Sequence, residues 1–382
     1  MDIFHIDGEA GLRGGERQLL YLACALRERG HRNVVAAQKR SALAREAKSL
    51  GLETLELNFA FEFDPLPALA LRRAAAGAER PILHAHTAHA ASFAVLAQSF
   101  GGPPAVLHRR VDFPLKSPVS RALKYGRAAR VIAVSAAIKD ILVRGGLAAE
   151  KIAVVPDSVL ATDEEARWAR AEAGRFAPPT FPEKKSLRAA LAEEYKLDPE
   201  AFWIGNLAAL VPHKDHDTLI AAAFLALAER PDARFVIGGE GPLEVHLWDQ
   251  VRRMGLAGKV LLLGQVPDAA KFLKAMDAFA LSSWGEGMGS VLLEAAACGL
   301  PVAATSAGGI PEIVKDGETG LLCPPRDPEA LAKNLLRLMK DEDLRKDLSA
   351  AARRRLPEFG LAAQAERTEK IYEAIYSSFG KT

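Results

Sequence analysis

Two glutamates separated by seven residues, Glu286 and Glu294, stand in the run Trp284-Gly285-Glu286-Gly287-Met288-Gly289-Ser290-Val291-Leu292-Leu293-Glu294-Ala295-Ala296-Ala297-Cys298-Gly299-Leu300-Pro301. An apolar run, Ala278 to Leu281, comes just before. The stretch from Ser290 or Val291 to Cys298 reads as a helix stopped by Gly299-Leu300-Pro301. Glu286 then lies ahead of the first turn, in a glycine-flanked loop. Glu294 lies inside the helix among apolar and alanine neighbours, where a charge needs a partner. Carboxylates accept hydrogen bonds from sugar hydroxyls, and the amides of Gly289, Ser290 and Val291 at a helix start suit phosphate oxygens. One such loop can hold both halves of a nucleotide sugar.

A second loop, Gly8-Glu9-Ala10-Gly11-Leu12-Arg13-Gly14-Gly15-Glu16, follows the apolar run Ile3 to Ile6 and opens into a helix. Its glycines let backbone N–H groups approach an anion, so it suits a diphosphate. The dinucleotide fingerprint GxGxxG is missing. His84-Ala85-His86 ends another apolar run, with both side chains on one face. A metal held by His84, His86 and His89 is disfavoured because no carboxylate or cysteine completes a set, and the pair reads better as lining for an acceptor. Asp215-His216-Asp217 reads as the cap of a helix from about Thr218 to Ala228, not as a Mg²⁺ motif. Asp341-Glu342-Asp343 reads as a solvated helix start.

The elements that must position these residues follow a βα rhythm. Ile3 to Ile6, Val34 to Ala37, Ile82 to His84, Ala105 to Leu107, Val131 to Val134 and Ile152 to Val155 alternate with helical stretches at Arg17 to Arg29, Ala42 to Leu50 and Ala90 to Phe100. Leu19, Leu20, Leu22, Ala23 and Leu26 recur as expected of a helix packed on a parallel sheet. A charged, alanine-rich stretch around Ala177-Pro178-Pro179-Thr180-Phe181-Pro182 interrupts the rhythm. It resumes at Phe202 to Ile204, Arg234 to Ile237, Val260 to Leu263, Ala278 to Leu281 and Val302 to Ala304. The expected architecture is α/β, with two doubly wound Rossmann-like domains facing across a cleft. Residues 1–160 form a first domain, 161–200 a connection and 201–360 a second domain that carries the Glu286–Glu294 loop, with 361–382 expected as a helix returning to the first domain. In such sheets ligands bind at the carboxyl ends of the strands.

The chain has 382 residues, 49% hydrophobic and 26% charged, with mean hydropathy +0.02. This is a globular profile, neither disordered nor fibrous. The length suits two domains. Cys24, Cys298 and Cys323 have no CxxC spacing, which argues against a disulfide framework or a cysteine zinc site. Met1-Asp2-Ile3-Phe4-His5 lacks the basic start and apolar core of a leader. Val291 to Ile310, poor in charge, contains Glu294, Pro301 and three glycines and is unfit to span a bilayer. A cytoplasmic location, peripheral at the inner membrane face, is expected. The net charge of +2 hides an asymmetry of +7 over residues 1–160 and −5 over the rest, so the first half is suited to something anionic.

With Glu-x7-Glu, these motifs run along nearly the whole chain: a Gly-Gly-x-Glu-like loop at Gly14, Gly15 and Glu16, Val134-Ser135, Lys151-Ile152-Ala153-Val154-Val155-Pro156, Gly238-Gly239-Glu240-Gly241-Pro242-Leu243, Glu294-Ala295-Ala296-Ala297-Cys298-Gly299-Leu300-Pro301-Val302, Gly308-Gly309-Ile310-Pro311-Glu312-Ile313-Val314 and Asp316-Gly317-Glu318-Thr319-Gly320-Leu321-Leu322. Together they resemble the family 4 retaining glycosyltransferases of the GT-B fold. The resemblance implies that Glu294 binds the ribose hydroxyls and Glu286 those of the transferred sugar. By the same resemblance, Gly287 to Val291 bind the donor, the amides around Gly289 and Ser290 holding its diphosphate, with Gly14 and Gly15 closing on it. Lys214 would neutralise the departing diphosphate, and His108, ending Ala105-Val106-Leu107, would face donor sugar and phosphate. Met288 is placed near the sugar and Val266 near the base; Glu16, His84, His86, Arg109 and Arg110 fall on the acceptor side. The chain departs from the pattern at Ala209, where the family carries an arginine, and at Asp157-Ser158-Val159-Leu160. His213, Arg109 or Arg110 are candidates to supply the missing charge.

What the resemblance implies is a metal-independent sugar transferase with retention and no cofactor, working on bacterial surface glycan such as lipopolysaccharide. Since no carboxylate pair for a two-step route is evident, front-face substitution is favoured. An epimerase or phosphorylase on the same fold and a non-catalytic nucleotide-sugar binder are the rival readings. Residues 109–130 carry seven basic residues against one acid. Arg121, Lys124, Arg127 and Arg130 would form a basic side for anionic lipid if helical, or a solvated face. Nucleic acid is not expected, for want of repeated aromatic platforms.

Overall fold

The computed structural model describes residues 1–113, 115 and 121–379. They form two units, one of residues 1–173 with the segment from Phe359 onward, the other of residues 174–358. The connection expected over 161–200 is divided between them. Its helix Asp163–Trp168 belongs to the first unit and its helix Phe181–Tyr195 to the second.

The first unit holds a seven-stranded parallel sheet: β1 (Asp2–Asp7), β2 (Arg32–Gln38), β3 (Glu53–Leu57), β4 (Ile82–Ala85), β5 (Ala105–Arg109), β6 (Arg130–Ala133) and β7 (Ile152–Val154), in the order β3-β2-β1-β4-β5-β6-β7. Six of the seven strands, all but β3, carry apolar runs because helices cover both faces. Leu22, Ala25 and Leu26 of the helix Gly14–Glu28 pack with Ile3, Ile82, Val106 and Ile132 of the sheet. Leu361, Ala365, Tyr372 and Ile375 of the helix Leu361–Phe379 join the same core, and the Gln364 amide donates to the Pro156 carbonyl at 3.2 Å. Each fully buried leucine or isoleucine here contributes roughly 1.5–3 kcal/mol.

The chain leaves β1 toward β2 on one side, and β4 lies on the other. The carboxyl ends of β1 and β4 therefore flank a switch point, where open parallel sheets bind ligands.

The second unit holds β8 (Trp203–Leu207), β9 (Arg234–Gly238), β10 (Val260–Leu262), β11 (Ala278–Leu281), β12 (Val302–Thr305) and β13 (Leu321–Cys323), all parallel, in the order β10-β9-β8-β11-β12-β13. Its switch point lies between β8 and β11. The run after β11 carries Glu286 and leads into the helix Val291–Ala297, and the run after β8 carries Lys214. Both thus reach the carboxyl end of the sheet.

No helix among the described residues is long and apolar enough to cross a membrane. The basic side expected over 109–130 does not form as a helical face. Among the described residues of the segment only Arg121–Tyr125 is helical, as one π-type turn, and Arg130 opens β6. Lys124 is buried and pairs with Glu62 over the Phe63 ring. The burial of an ammonium that has a carboxylate within reach outweighs a repeat read from spacing alone. Pro114 and residues 116–120 of this segment lie outside the described residues.

Candidate active site

In the second unit, β11 ends at Leu281 and the chain turns at Ser282 to Glu286. This turn is strapped to the short helical turn Pro212–Lys214. The amide of Trp284 donates to the His213 carbonyl at 3.0 Å, the indole N–H of Trp284 to the Pro212 carbonyl at 2.9 Å, and the Ser282 hydroxyl to the Lys214 carbonyl at 3.0 Å. Two loops from neighbouring strands are thereby held as one surface. The Lys214 ammonium donates to Glu286 Oε2 at 2.5 Å, and the Ser283 hydroxyl reaches the same oxygen at 3.2 Å. Both side chains keep part of their surface, 18% for Lys214 and 12% for Glu286, so the pair is oriented yet open to a ligand. The sequence placed the two on one donor without anticipating this direct pairing.

Backbone geometry fixes Glu286 from behind. Its carbonyl accepts from the Gly309 amide at 3.1 Å. A Cβ at Gly308, whose φ is +51°, would lie 1.8 Å from that carbonyl oxygen, so only glycine fits. Gly289, φ +82°, turns the chain into the helix with Glu286, Leu292 and Ile310 packed around its Cα.

The expected helix over Ser290 or Val291 to Cys298 is observed as Val291–Ala297. The amides of Leu292 and Leu293 turn back to the carbonyls of Gly289 and Ser290. Those of Ser290 and Val291 precede the first intrahelical bond of the α type. Gly287, Gly289 and Met288 are buried in this turn, and Glu294 is half-buried one turn on. Val266 packs on the carboxyl end of β9, where its methyl would lie 2.5 Å from a Cβ at Gly238. Ala209 lies exposed just beyond β8.

Asp215 differs from its expected part. It stands at the N-cap of the helix His216–Glu229 in a left-handed conformation, φ 50°, without a side-chain bond to a helix amide. Its carboxylate takes the Thr218 hydroxyl at 2.8 Å instead. The left-handed backbone turns the side chain away from the amides it would cap. Asp341 does cap, accepting from the Leu344 amide.

In the first unit, a buried histidine cluster occupies the carboxyl ends of β1, β4 and β5. His84 and His86 have ring centroids 4.1 Å apart, and His108 stacks on His84 at 5.5 Å. The residue that joins His84 and His86 in a group able to hold a metal is His5, not His89, which is exposed. His5 Nδ1 lies 3.1 Å from His86 Nε2, and Tyr372 Oη lies 2.6 Å from His84 Nδ1. Burial drives the His5 imidazole down to about 4, against a hydrogen bond to Asn33 that raises it. Burial, with Arg110 and neighbouring rings adding to it, holds His84, His86 and His108 well below the ordinary histidine range. Asp7, at the end of β1, is pushed by burial up to about 7 with Glu16 and Glu9 adding to the rise, against the Glu9 amide and Arg110. Sequence reading missed His5, Asp7 and Tyr372. His5 and Asp7 carry period-two spacing with Ile3 on one face of β1, a signal masked by the apolar neighbours.

Glu16 and Arg109, expected beside an acceptor, have local partners. Glu16 Oε2 accepts from the Arg13 amide at 2.6 Å, which closes the start of the helix that Gly14 and Gly15 open. Arg109 donates to the carbonyls of Val111 and Phe113 and to the Tyr125 hydroxyl, so it holds its own loop. Arg110 instead faces the cluster.

The group 1 glycosyl transferase model matches residues 188–355, and the family 4 glycosyltransferase model matches residues 12–159. The chain belongs to the family 4 glycosyltransferases. Among solved structures, Anabaena HepE in complex with UDP and glucose aligns at TM-score 0.82 with 22% identity, over 98% of this chain and 100% of that one. A Rickettsia africae glycosyltransferase aligns at 0.83 with 20% identity over 98% of each. This family 4 chain therefore has the GT-B fold, as its two parallel sheets already suggest. It is similar in sequence to the N-acetyl-alpha-D-glucosaminyl L-malate synthase of Bacillus anthracis, 34% identical over 41% of this chain and 40% of that one. It also resembles the D-inositol 3-phosphate glycosyltransferase of Thermobispora bispora, 35% identical over 42% and 40%. The chain spans about two fifths of the length of each of these two relatives.

Proposed function

We propose that this family 4 chain is a retaining glycosyltransferase that moves a sugar from a nucleoside-diphosphate sugar to a glycan or lipid-linked acceptor in bacterial surface-glycan synthesis. The observation that carries the reading is the Lys214–Glu286 pair on the turn that leads into the Glu294 helix. An ammonium for phosphate charge and carboxylates for hydroxyls stand at the carboxyl end of one sheet. HepE, with the same fold, was solved with UDP-glucose, which supports a donor of that class.

In the proposed step the bond from the anomeric carbon to the phosphate oxygen breaks as the bond to the acceptor oxygen forms on the same face. The acceptor proton passes to the departing phosphate oxygen. Lys214 and the amides of Gly289 to Val291 stabilise the charge shed by the leaving group. Glu286 positions the sugar through its hydroxyls, and Glu294 holds the ribose. Glu286 is ill placed as a nucleophile while Lys214 and Ser283 hold one of its oxygens. Protein cations take the part a metal would play. The histidine cluster gives little support to a metal, since Arg110 stands within hydrogen-bond reach of His86 and repels a further cation.

Calorimetric titration with UDP, GDP and ADP sugars tests the reading, followed by NMR of the product's anomeric proton. One nucleotide sugar is expected to bind, and the product to keep the donor's anomeric configuration. A flat response to every donor, or inversion, contradicts it.

For the acceptor side, the loop beside Lys124 exposes Phe61 at 63% and Phe63 at 40%, and Phe113 is 52% exposed. Exposed aromatic side chains suit the interfacial region of a lipid surface. The double variant F61S/F63S is expected to lose at least half of the wild type's sedimentation with phosphatidylglycerol vesicles. Unchanged sedimentation contradicts docking through this loop.

A further inference from the structure

Arg110 directs all three edges of its guanidinium at the first-unit cluster. Nε donates to Asp157 Oδ1 at 3.0 Å, one terminal nitrogen to His86 Nδ1 at 3.2 Å, and the other to His108 Nδ1 at 3.4 Å. A guanidinium has no acceptor. Each ring must therefore present a lone pair at Nδ1, and each neutral ring carries its proton on Nε2.

The opposite end of the network gives the same assignment independently. Asn33 donates its amide N–H to the His31 carbonyl at 2.9 Å, which fixes its Oδ1 as the acceptor for His5 Nε2–H at 3.0 Å. His5 Nδ1 is then a lone pair, and His86 Nε2–H donates to it at 3.1 Å. Read from Asn33 or from Arg110, His86 has one tautomer. The chain ends differently at His108. Its Nε2 is buried and has no hydrogen-bond partner among the described residues. A buried polar atom left unpaired is costly unless a ligand completes it.

We propose that Arg110 is a positioning residue that locks His108 in the neutral Nε2–H tautomer, so that its one unpartnered N–H is held ready to donate to an oxygen of the bound substrate. The role in transfer rests on the reading of His108 as a donor-facing residue; the tautomer lock does not. Asp157, buried on the far side, anchors the guanidinium against drifting toward solvent. At 3.4 Å the His108 contact is long for a hydrogen bond, yet a fixed positive charge beside Nδ1 disfavours a proton there at any such distance. The charged and titratable groups around His108 are Arg110 and Asp157 on one side and His84 and His86 on the other, with His5 and Tyr372 behind them. All the imidazoles are held neutral by burial, and Arg110 adds to that.

The test is histidine-selective ¹⁵N NMR of the full chain, wild type against Arg110→Met and Arg110→Lys, with a pH profile of kcat for each. In the wild type at pH 7, His86 and His108 are expected to show Nε2 protonated and Nδ1 bare. In Arg110→Met, His108 is expected to divide between tautomers or to protonate, and the acid limb of kcat to move up by about one pH unit. Arg110→Lys keeps the charge but cannot bridge two Nδ1 atoms, so it is expected to keep the pH profile near that of wild type with His86 or His108 released. It also serves as the folded comparison should the methionine variant not fold. An Nε2–H tautomer at His108 that is unchanged in both variants overturns the lock. If the lock is observed while His108→Phe leaves donor affinity and kcat unchanged, the donor-facing reading fails and the lock stands.

Discussion

Replacing Lys214 by methionine is expected to lower kcat by about a hundred- to a thousand-fold, the loss typical of removing one preorganised donor from a developing oxyanion. KM for the donor should change far less, because charge on the leaving phosphate grows only as the bond breaks. The fold should survive. Lys214 and Glu286 are partly solvated, and the loop that holds them is fixed by backbone bonds that the substitution leaves intact. The melting temperature should drop by no more than a few degrees, as for a pair worth about 1 kcal/mol. Glu286→Gln should raise KM and lower kcat together, since it weakens the hold on the sugar's hydroxyls in both states. Because the two side chains touch, the double variant should lose much less than the product of the single losses. Steady-state kinetics on the four proteins decides the matter. A lysine variant retaining more than a tenth of the activity would remove Lys214 from the chemistry.

Acidification from pH 7.5 to 5 is expected to destabilise the first unit steeply. An unfolded histidine binds a proton near 6.5. The folded protein resists at His5, His84, His86 and His108, where burial lowers the affinity for a proton, and at His216, which falls to about 4 for the same reason. For these groups the folded value lies below the unfolded one. The stability they contribute is fully present above about 6.5 and is lost as pH falls, toward about 4 for His5 and His216 and well below the ordinary histidine range for the rest.

Asp7 has the opposite sign. Burial raises its folded value from 3.8 to about 7, so its contribution is complete below 3.8 and lost as pH rises toward about 7. Five imidazoles outweigh one carboxyl in the shared window. Each net proton taken up on unfolding costs about 1.4 kcal/mol per pH unit, and several act together. Four of the five imidazoles lie in the first unit, so melts followed by circular dichroism should separate into two transitions as pH falls, the earlier one from that unit. The expected drop exceeds 10 °C between pH 7.5 and 5. A flat profile would mean that the cluster takes up protons without strain.

The central strands were legible in the sequence because both of their faces are covered. Phe4, Val35, Val106, Phe235 and Phe279 sit in runs with hardly a polar position. Two of the four edge strands were not, although β7 and β10 read as short apolar runs. β3 is Glu-Thr-Leu-Glu-Leu and half-exposed along its length, and β13 has three residues inside a turn-rich stretch. A strand with one neighbour does not need an apolar run. The site was legible in proportion to how local it is. The span from Glu286 to Glu294 lies within one loop and one helix, and its glycines announced the turn. The Lys214–Glu286 contact joins positions 72 residues apart, and the Tyr372–His84 contact joins positions 288 apart. No periodicity encodes such pairings. Lys124 shows the reverse case: a three-residue basic repeat suggested a surface, and one acid in another loop, Glu62, drew that lysine inside.

The most direct test of the account is a crystal structure of the protein with its intact donor. The account predicts sugar hydroxyls within 3.2 Å of a Glu286 carboxylate oxygen, ribose hydroxyls on Glu294, and diphosphate oxygens on Lys214 Nζ and the amides of Gly289 to Val291, distances that charge-assisted hydrogen bonds require. A donor bound with Lys214 still paired to Glu286 and its diphosphate elsewhere would contradict it.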